Sequence, residues 1–205
     1  MIPGDGDWIR ERIGRLGASH MKTAMSFKKD GQPTAERKKL MMAIVAERLT
    51  DIMVSNYVTP AMQDGLTYEP LAKVAYMAAT GADVIDCGVF HHPTIEFLSA
   101  TPDGLVGNDG LLECKCPTTA TFLEWVLAGV VPEEHRPQMI IQLLCTGRQW
   151  CDFAAFDPRM PEGKRLFIRR YEPTQEERVN VEGHAIQFLK ETEALFQRVI
   201  EAEAA

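Results

Sequence analysis

The chain contains no run approaching the roughly 20 apolar residues that a membrane-spanning helix requires, so no association with a membrane is expected. Its first stretch, MIPGDGDWIRERIGRLGASH, lacks the basic start and apolar core of a secretory signal, and a soluble, intracellular protein is expected. The five cysteines are an odd number with no export signal beside them, which argues against a disulfide framework. Cys114 and Cys116 are one residue apart, and Cys87, Cys145 and Cys151 stand singly. Structural zinc usually takes two spaced ligand pairs, and no second pair exists here. No internal repeat or low-complexity segment is visible. Excess positive charge is also lacking: the net charge is −7, which excludes a protein that coats nucleic acid through its overall field.

What is present is an ordinary globular composition, 45% hydrophobic and 25% charged over 205 residues, enough for one domain with a sizeable core. Charge is uneven. Residues 1–40 hold nine Lys/Arg against five acids, and residues 172–205 hold eight Glu against three basic residues. Any nucleic-acid contact must therefore use a local basic groove.

Helical spacing of Leu40, Met41, Ile44, Leu49, Ile52 and Met53 behind Pro33-Thr34 predicts a helix from Thr34 to about Ser55. A second is predicted after Thr59-Pro60, interrupted at Asp64-Gly65, kinked or restarted at Pro70, and ending near Gly81. Residues 83–90, 98–106 and 110–117 then read as short strands, the last two joined in a hairpin by Asn108-Asp109-Gly110. Residues 118–130 and 133–146 read as helices, and 148–157 and 164–172 as strands. A long amphipathic helix follows, from about Thr174 to Glu203, with Val181, Ile186, Leu189, Leu195, Phe196, Val199 and Ile200 on its apolar side. This order gives a mixed α/β (α+β) fold around one central sheet.

The chemistry concentrates in TPDGLVGNDGLLECKCP, residues 101–117. On a strand, Glu113 and Lys115 project from one face and Cys114 from the other, so the sulfurs fall on the packing side. The hairpin brings Asp103 near Glu113. Two carboxylates side by side repel each other unless something positive lies between them, and hard oxygens suit magnesium or manganese. A lysine on the same face can hold a water and offset charge on a reacting phosphate. Leu111, Leu112 and Pro117 around the motif predict partial burial, which is costly for such charges without a metal or a function. Gln138 and Gln142 share a face of the following helix, among apolar residues, and a buried amide there needs a partner. The adjacent His91 and His92 read as a loop feature.

These residues resemble the PD-(D/E)xK nuclease signature, with Pro102-Asp103 and Glu113-Cys114-Lys115 in its slots. More of the chain is similar, in order, to the lambda-exonuclease or YqaJ-type viral recombinase family. The similar blocks are WIRERIGRLGAS, GLTYEPLA, SATPDGLV, LLECKCP and PQMIIQLLCTGRQWCDFAAFDPRMP, spanning roughly Trp8 to Met160. The resemblance implies a restriction-endonuclease-like core with a central mixed sheet. It implies one nuclease domain over 1–205, with a helical DNA-end-binding part at about 1–80, a catalytic sheet core at about 81–172 and a C-terminal helix at about 174–203.

The same resemblance implies that Asp103 and Glu113 are metal ligands together with the backbone carbonyl of Cys114, and that Lys115 positions the attacking water. Gln138 matches an active-site glutamine and Glu69 an additional acid near the metals. Arg12 and Ser19 fall where a DNA 5′-phosphate is gripped, with Trp8 an aromatic of that region. Arg10, Arg15, Lys22, Lys28 and Lys29 lie nearby in sequence and favour a phosphate site there. Some relatives carry a further acid where Pro93 stands, and Glu96 or a water is the candidate substitute. The implied activity is a magnesium-dependent 5′-to-3′ exonuclease with one or two ions per site, manganese being a possible substitute. It would digest one strand of double-stranded DNA from its ends and leave 3′ single-stranded tails for recombination. A ring-shaped homotrimer, a single-strand annealing partner and the cytoplasm of a bacterial or phage-infected cell complete the expectation. The alternatives are a catalytically idle DNA-end binder and a related PD-(D/E)xK endonuclease. An iron–sulfur nuclease is disfavoured by the scattered cysteines.

Overall fold

The computed structural model describes residues 6–54 and 60–202. The chain runs through α1 (Gly6–Arg10), β1 (Leu16–Gly17), a 3-10 turn (Ala18–His20), α2 (Met21–Ala24), α3 (Ala35–Thr50) and α4 (Pro60–Thr80). It continues with β2 (Val84–Ile85), β3 (Phe90–His91), β4 (Leu98–Ala100), β5 (Gly104–Val106) and β6 (Gly110–Lys115). Then come α5 (Thr119–Ala128), a 3-10 turn (Glu133–His135), α6 (Arg136–Thr146), β7 (Trp150–Phe156), β8 (Leu166–Tyr171) and α7 (Gln175–Glu201). Among the described residues no helix is long and apolar enough to cross a membrane.

Five strands form a mixed sheet in the order β2-β5-β6-β7-β8, antiparallel except for the central parallel pair β6/β7. Parallel neighbours need a crossover, which α5 and α6 supply. Alternation along β6 sorts its two faces. Leu111 joins Phe153, Ala155 and Phe167 in the core under α6, while Leu112 and Cys114 join Ala154, Phe156, Ala72 and Tyr76 under α4. Helix ends follow local chemistry. Thr34, Thr118 and Thr174 each cap the helix they precede, and Thr174 forms a full capping box with Glu177.

Several expectations are corrected. The central mixed sheet is as expected, but β1, β4 and β3 add a second, three-stranded sheet that was not. The single strand expected over 98–106 is split between the two sheets at Thr101-Pro102-Asp103, because Pro102 has no N–H to continue a ladder. α4 is continuous through Gly65 and Pro70; docking of Ala72 and Tyr76 against the sheet overrides the local helix-breaking tendency. α3 stops at Thr50, where Asp51 turns left-handed, and Leu49 and Ile52 are exposed. On α7 the buried stripe is Val181, Ala185, Phe188, Leu189 and Thr192, while Val199 and Ile200 face outward. His91 is strand, not loop, paired with Ser99. The expectations at Thr59, Ser55 and Glu203 lie outside the described residues.

Candidate active site

One cleft of about 190 Å³ lies beside the break between β4 and β5 and the end of β6. Its lining includes Asp103, Glu113, Cys114 and Lys115 from the hairpin, Gln138 from α6, and Glu69 from α4. Arg12, Gly17, Ala18 and Ser19 close it from the N-terminal side, and Ser99 and Thr101 from β4 and the residues after it. The small sheet sets this second wall: β1 runs parallel to β4, with Gly17 opposite Ser99, so the turn holding Ser19 lies next to the segment that leads to Asp103.

Glu113 is only 1% exposed and is held at both oxygens. Gln138 Nε2 donates to Oε1 at 2.6 Å, Gln142 Nε2 donates to Oε2 at 2.5 Å, and Lys115 Nζ lies 2.5 Å from Oε1. Lys115 also donates to Gln138 Oε1 at 3.3 Å. Asp103 Oδ2 accepts the Cys114 backbone N–H at 2.6 Å. Burial, then the neighbouring carboxylates Glu113 and Glu69, push the Asp103 carboxyl well above its usual pKa. Burial alone would lower the Lys115 pKa, but Glu113 and Asp103 outweigh it and hold the ammonium charged. On α4, Lys73 lies 3.4 Å from Glu69, one turn away, and 3.1 Å from Asp86.

The donor set fits a hard divalent cation. Like charge crowds Asp103, Glu113 and Glu69 around one cleft, and a cation relieves that crowding. The thiols do not compete. Burial and then nearby carboxylates keep the Cys114 thiol protonated, and the same causes push Cys116 up to about 11. Among the described residues no three His, Cys, Asp or Glu side chains form a ready-made ligand set. An ion here would take carboxylate oxygens together with backbone or solvent oxygens, as magnesium commonly does.

At the far wall, Gly17 sits between two polar groups. A methyl group there would stand 3.8 Å from Arg12 Nη2 and 3.9 Å from Ser19 Oγ. The Arg12 guanidinium lies over the Trp8 ring, 4.1 Å from its centroid. Burial lowers the Arg12 pKa, with Glu47 opposing, yet a guanidinium remains charged at any ordinary pH.

The structure thus brings Asp103, Glu113, Cys114, Lys115, Gln138, Glu69, Arg12 and Ser19 to one cleft, with Trp8 behind Arg12. It does not bring the other basic residues of the N-terminal region there. Lys22 pairs with Glu134, Arg10 with Asp7, and Arg15 lies over Phe97. Nor does Glu96 substitute for an acid at Pro93, since it sits with Arg48 and Phe97 in a separate groove against α7. Lys73, Ser99 and Thr101 were not singled out from sequence. Only Lys73 carried a signal, its four-residue spacing from Glu69.

The chain is similar to known proteins of one family. The YqaJ-like viral recombinase domain matches residues 7–149. An alkaline exonuclease from Laribacter hongkongensis has a similar structure, with 36% sequence identity and a TM-score of 0.87 over 95% of this chain and 96% of the other. The same protein solved in complex with dAMP matches equally, at 36% identity and a TM-score of 0.87, with 95% of this chain and 96% of that one covered. A phage-related exonuclease from Haemophilus somnus 129PT shares the fold at 14% identity, with a TM-score of 0.67 over 90% of this chain and 96% of its own. No curated protein sequence matches significantly.

Proposed function

The chain belongs to the YqaJ-like viral recombinase family, and from that premise we propose that it is a magnesium-dependent deoxyribonuclease that digests one strand of linear duplex DNA from a 5′ end. The product would carry 3′ single-stranded tails for recombination by strand annealing. The observation that carries this reading is the meeting of Asp103, Glu113 and Lys115 with Arg12 and Ser19 in one cleft. Hydrolytic groups and a cation–hydroxyl pair suited to phosphate face the same space. The alkaline exonuclease name and the dAMP complex of the Laribacter relative support a DNA substrate and a deoxynucleotide product.

Asp103, Glu113, the Cys114 carbonyl and Glu69 would hold one or two ions, magnesium or manganese. Such an ion supplies Lewis-acid polarisation of the phosphodiester and a nucleophile at neutral pH. The chain's own residues do the rest. Lys115, fixed by Glu113 and Gln138, positions the attacking water and meets the charge that develops on the phosphate oxygens. Gln138 keeps Lys115 and Glu113 in register by bonding to both. Arg12 and Ser19 receive the terminal 5′-phosphate, and Trp8 supports the guanidinium face. A 5′-phosphate seated there directs the adjoining phosphodiester toward the carboxylates, which gives the strand polarity.

A homotrimeric ring around the duplex would retain DNA without a basic overall charge, and a single-strand annealing protein would take the exposed tail. Both, like a cytoplasmic location, belong to the proposal. Light scattering of the purified protein tests the trimer.

The decisive experiment digests linear duplex bearing one 5′-phosphate end and one 5′-hydroxyl end, with magnesium and with EDTA. Digestion should start at the phosphorylated end and stop in EDTA, and Lys115→Ala should lower kcat by about 100-fold or more. Arg12→Ala should erase the preference between ends. Cleavage of closed circular DNA would overturn the exonuclease reading in favour of an endonuclease. Metal-independent end binding without digestion would make the protein an idle end binder.

A further inference from the structure

Gln142 is absent from the cleft wall, yet it is bonded to the carboxylate at the centre of the cleft. α6 presents Gln138 and Gln142 one turn apart on the face turned to β6, and their amides take opposite oxygens of Glu113. The two glutamines are not equivalent. Gln138 lines the cleft and also accepts from Lys115. Gln142 is fully buried behind Glu113, and among the described residues its own Oε1 has no hydrogen-bond partner.

That unpartnered oxygen is informative. A buried acceptor without a donor carries its full desolvation penalty uncompensated. The neighbours Met139, Ile140, Ile141 and Leu143 are all buried, so a leucine or methionine at 142 would suit the surroundings without that cost. What the amide supplies instead is a single short N–H bond to a buried carboxylate. The lone pairs show its value. Oε1 already accepts from Gln138 and lies against Lys115, whereas Oε2 accepts, among the described residues, from Gln142 alone. A carboxylate oxygen has two acceptor sites, so Oε2 is the oxygen with one still free.

We propose that Gln142 is a positioning residue that fixes the plane of the Glu113 carboxylate, and thereby sets the affinity of the cleft for a divalent cation. It touches neither ion nor DNA and acts only through Glu113. This rests on the metal-site reading above. Partners that orient a ligating group in this way typically contribute about 10–100-fold to metal affinity.

The test is calorimetric titration of Mn²⁺ into wild type, Gln142→Leu, Gln142→Asn and Asp103→Asn, without DNA. Leu removes the donor at similar volume, and Asn keeps the amide but is one methylene too short to reach. Each protein is also assayed for binding to 5′-phosphorylated duplex in EDTA, which reports an intact fold and end pocket. Both Gln142 variants should bind Mn²⁺ about 10-fold or more weakly, with duplex binding in EDTA unchanged. Their nuclease activity should need more magnesium for half-maximal rate at an unaltered KM for DNA. Mn²⁺ affinity within about twofold of wild type in both variants would overturn the inference. Parallel loss of Mn²⁺ and duplex binding would also overturn it, by showing a merely structural glutamine. If wild type itself binds no Mn²⁺, or binds it equally after Asp103→Asn, the metal-site reading fails first and takes this inference with it.

Discussion

His135 stands just before α6, its ring stacked on Phe153 at 5.5 Å and edge-on to Trp125 at 5.2 Å. Its Nε2 is buried without a hydrogen-bond partner among the described residues. Burial first, then Lys115, lower its pKa to about 4, with Lys22 adding to that and Glu134 and Glu113 opposing. The native state therefore holds His135 neutral at a pH where the unfolded chain protonates it. Its contribution to stability is complete above about pH 6.5 and is lost as pH falls from there toward 4. Wild type should lose roughly 2 kcal/mol relative to His135→Phe between pH 7 and pH 5, read from urea midpoints of both proteins at each pH. The comparison with the variant matters because Asp103, whose pKa is raised, contributes with the opposite sign. At this scale the sequence was legible where chemistry sits on strand alternation. Asp103, Glu113 and Lys115 follow from period two and a hairpin turn. Gln142 was visible as a buried amide needing a partner, but only the packing of α6 onto β6 shows that the partner is Glu113. Among the N-terminal basic residues, only the family resemblance singles out Arg12; composition and spacing have no means to tell it from Arg10 or Lys22, because ion pairs with Asp7 and Glu134 decide which charges are already used.

The hairpin of β5 and β6 sets the distance between the two central carboxylates, and two contacts hold it. Arg148 Nη1 donates to the carbonyls of Val106, Gly107 and Gly110 at 3.3, 3.0 and 2.6 Å, which pins the turn. Gly110 then lets β6 pass close to β7, since a Cβ there would stand 2.1 Å from two atoms of the Trp150 ring. The ring has little freedom to retreat. Arg170 lies 3.5 Å over it, bonded twice to Asp152, which also takes the Tyr76 hydroxyl from α4 at 2.8 Å. Gly110→Ala should therefore cost about 1–3 kcal/mol, the usual range for overpacking. Trp150→Leu in the same chain should recover part of that loss, a non-additivity that a double-mutant cycle in urea measures. Equal costs of Gly110→Ala with Trp150 present and absent would show that the ring is not the obstacle. The elements themselves were largely readable from periodicity and caps. The division into two sheets was not, because it depends on where Pro102 falls in the ladder and on which partner each half-strand then finds. The continuity of α4 through Gly65 and Pro70 was hidden for a related reason: sheet packing decides it against local propensity.

Arg37 joins parts of the molecule that lie far apart in sequence. It is 1% exposed, with Nε donating to the Ala24 carbonyl at 2.8 Å and Nη1 to Glu191 on α7 at 2.7 Å. Its guanidinium lies between the rings of Phe27 and Phe188, 4.7 and 5.1 Å from their centroids. A second strut repeats the design, with Arg48 donating to the Gly14 carbonyl at 2.8 Å and to Glu193 on α7 at 3.0 Å. α7, acidic in composition, thus meets the basic N-terminal third with the charge it lacks, which makes use of the asymmetry seen in the sequence. The wall that carries Arg12 and Ser19 is consequently braced by the far end of the chain, and the two walls of the cleft should unfold as one unit. Arg37→Ala should cost about 3–5 kcal/mol, the scale of large-to-small changes in a core plus the loss of a bond to a buried carbonyl. Glu191→Gln should cost under about 1 kcal/mol, because Glu191 is 39% exposed and Arg37 keeps its carbonyl and both rings. In a chain that keeps Trp8 but carries Trp125→Phe and Trp150→Phe, urea unfolding followed by fluorescence and by circular dichroism should give coincident transitions, with and without Glu191→Gln. An early fluorescence transition, separate from loss of the sheet, would mean that the N-terminal part folds independently and that the cleft is assembled from two units.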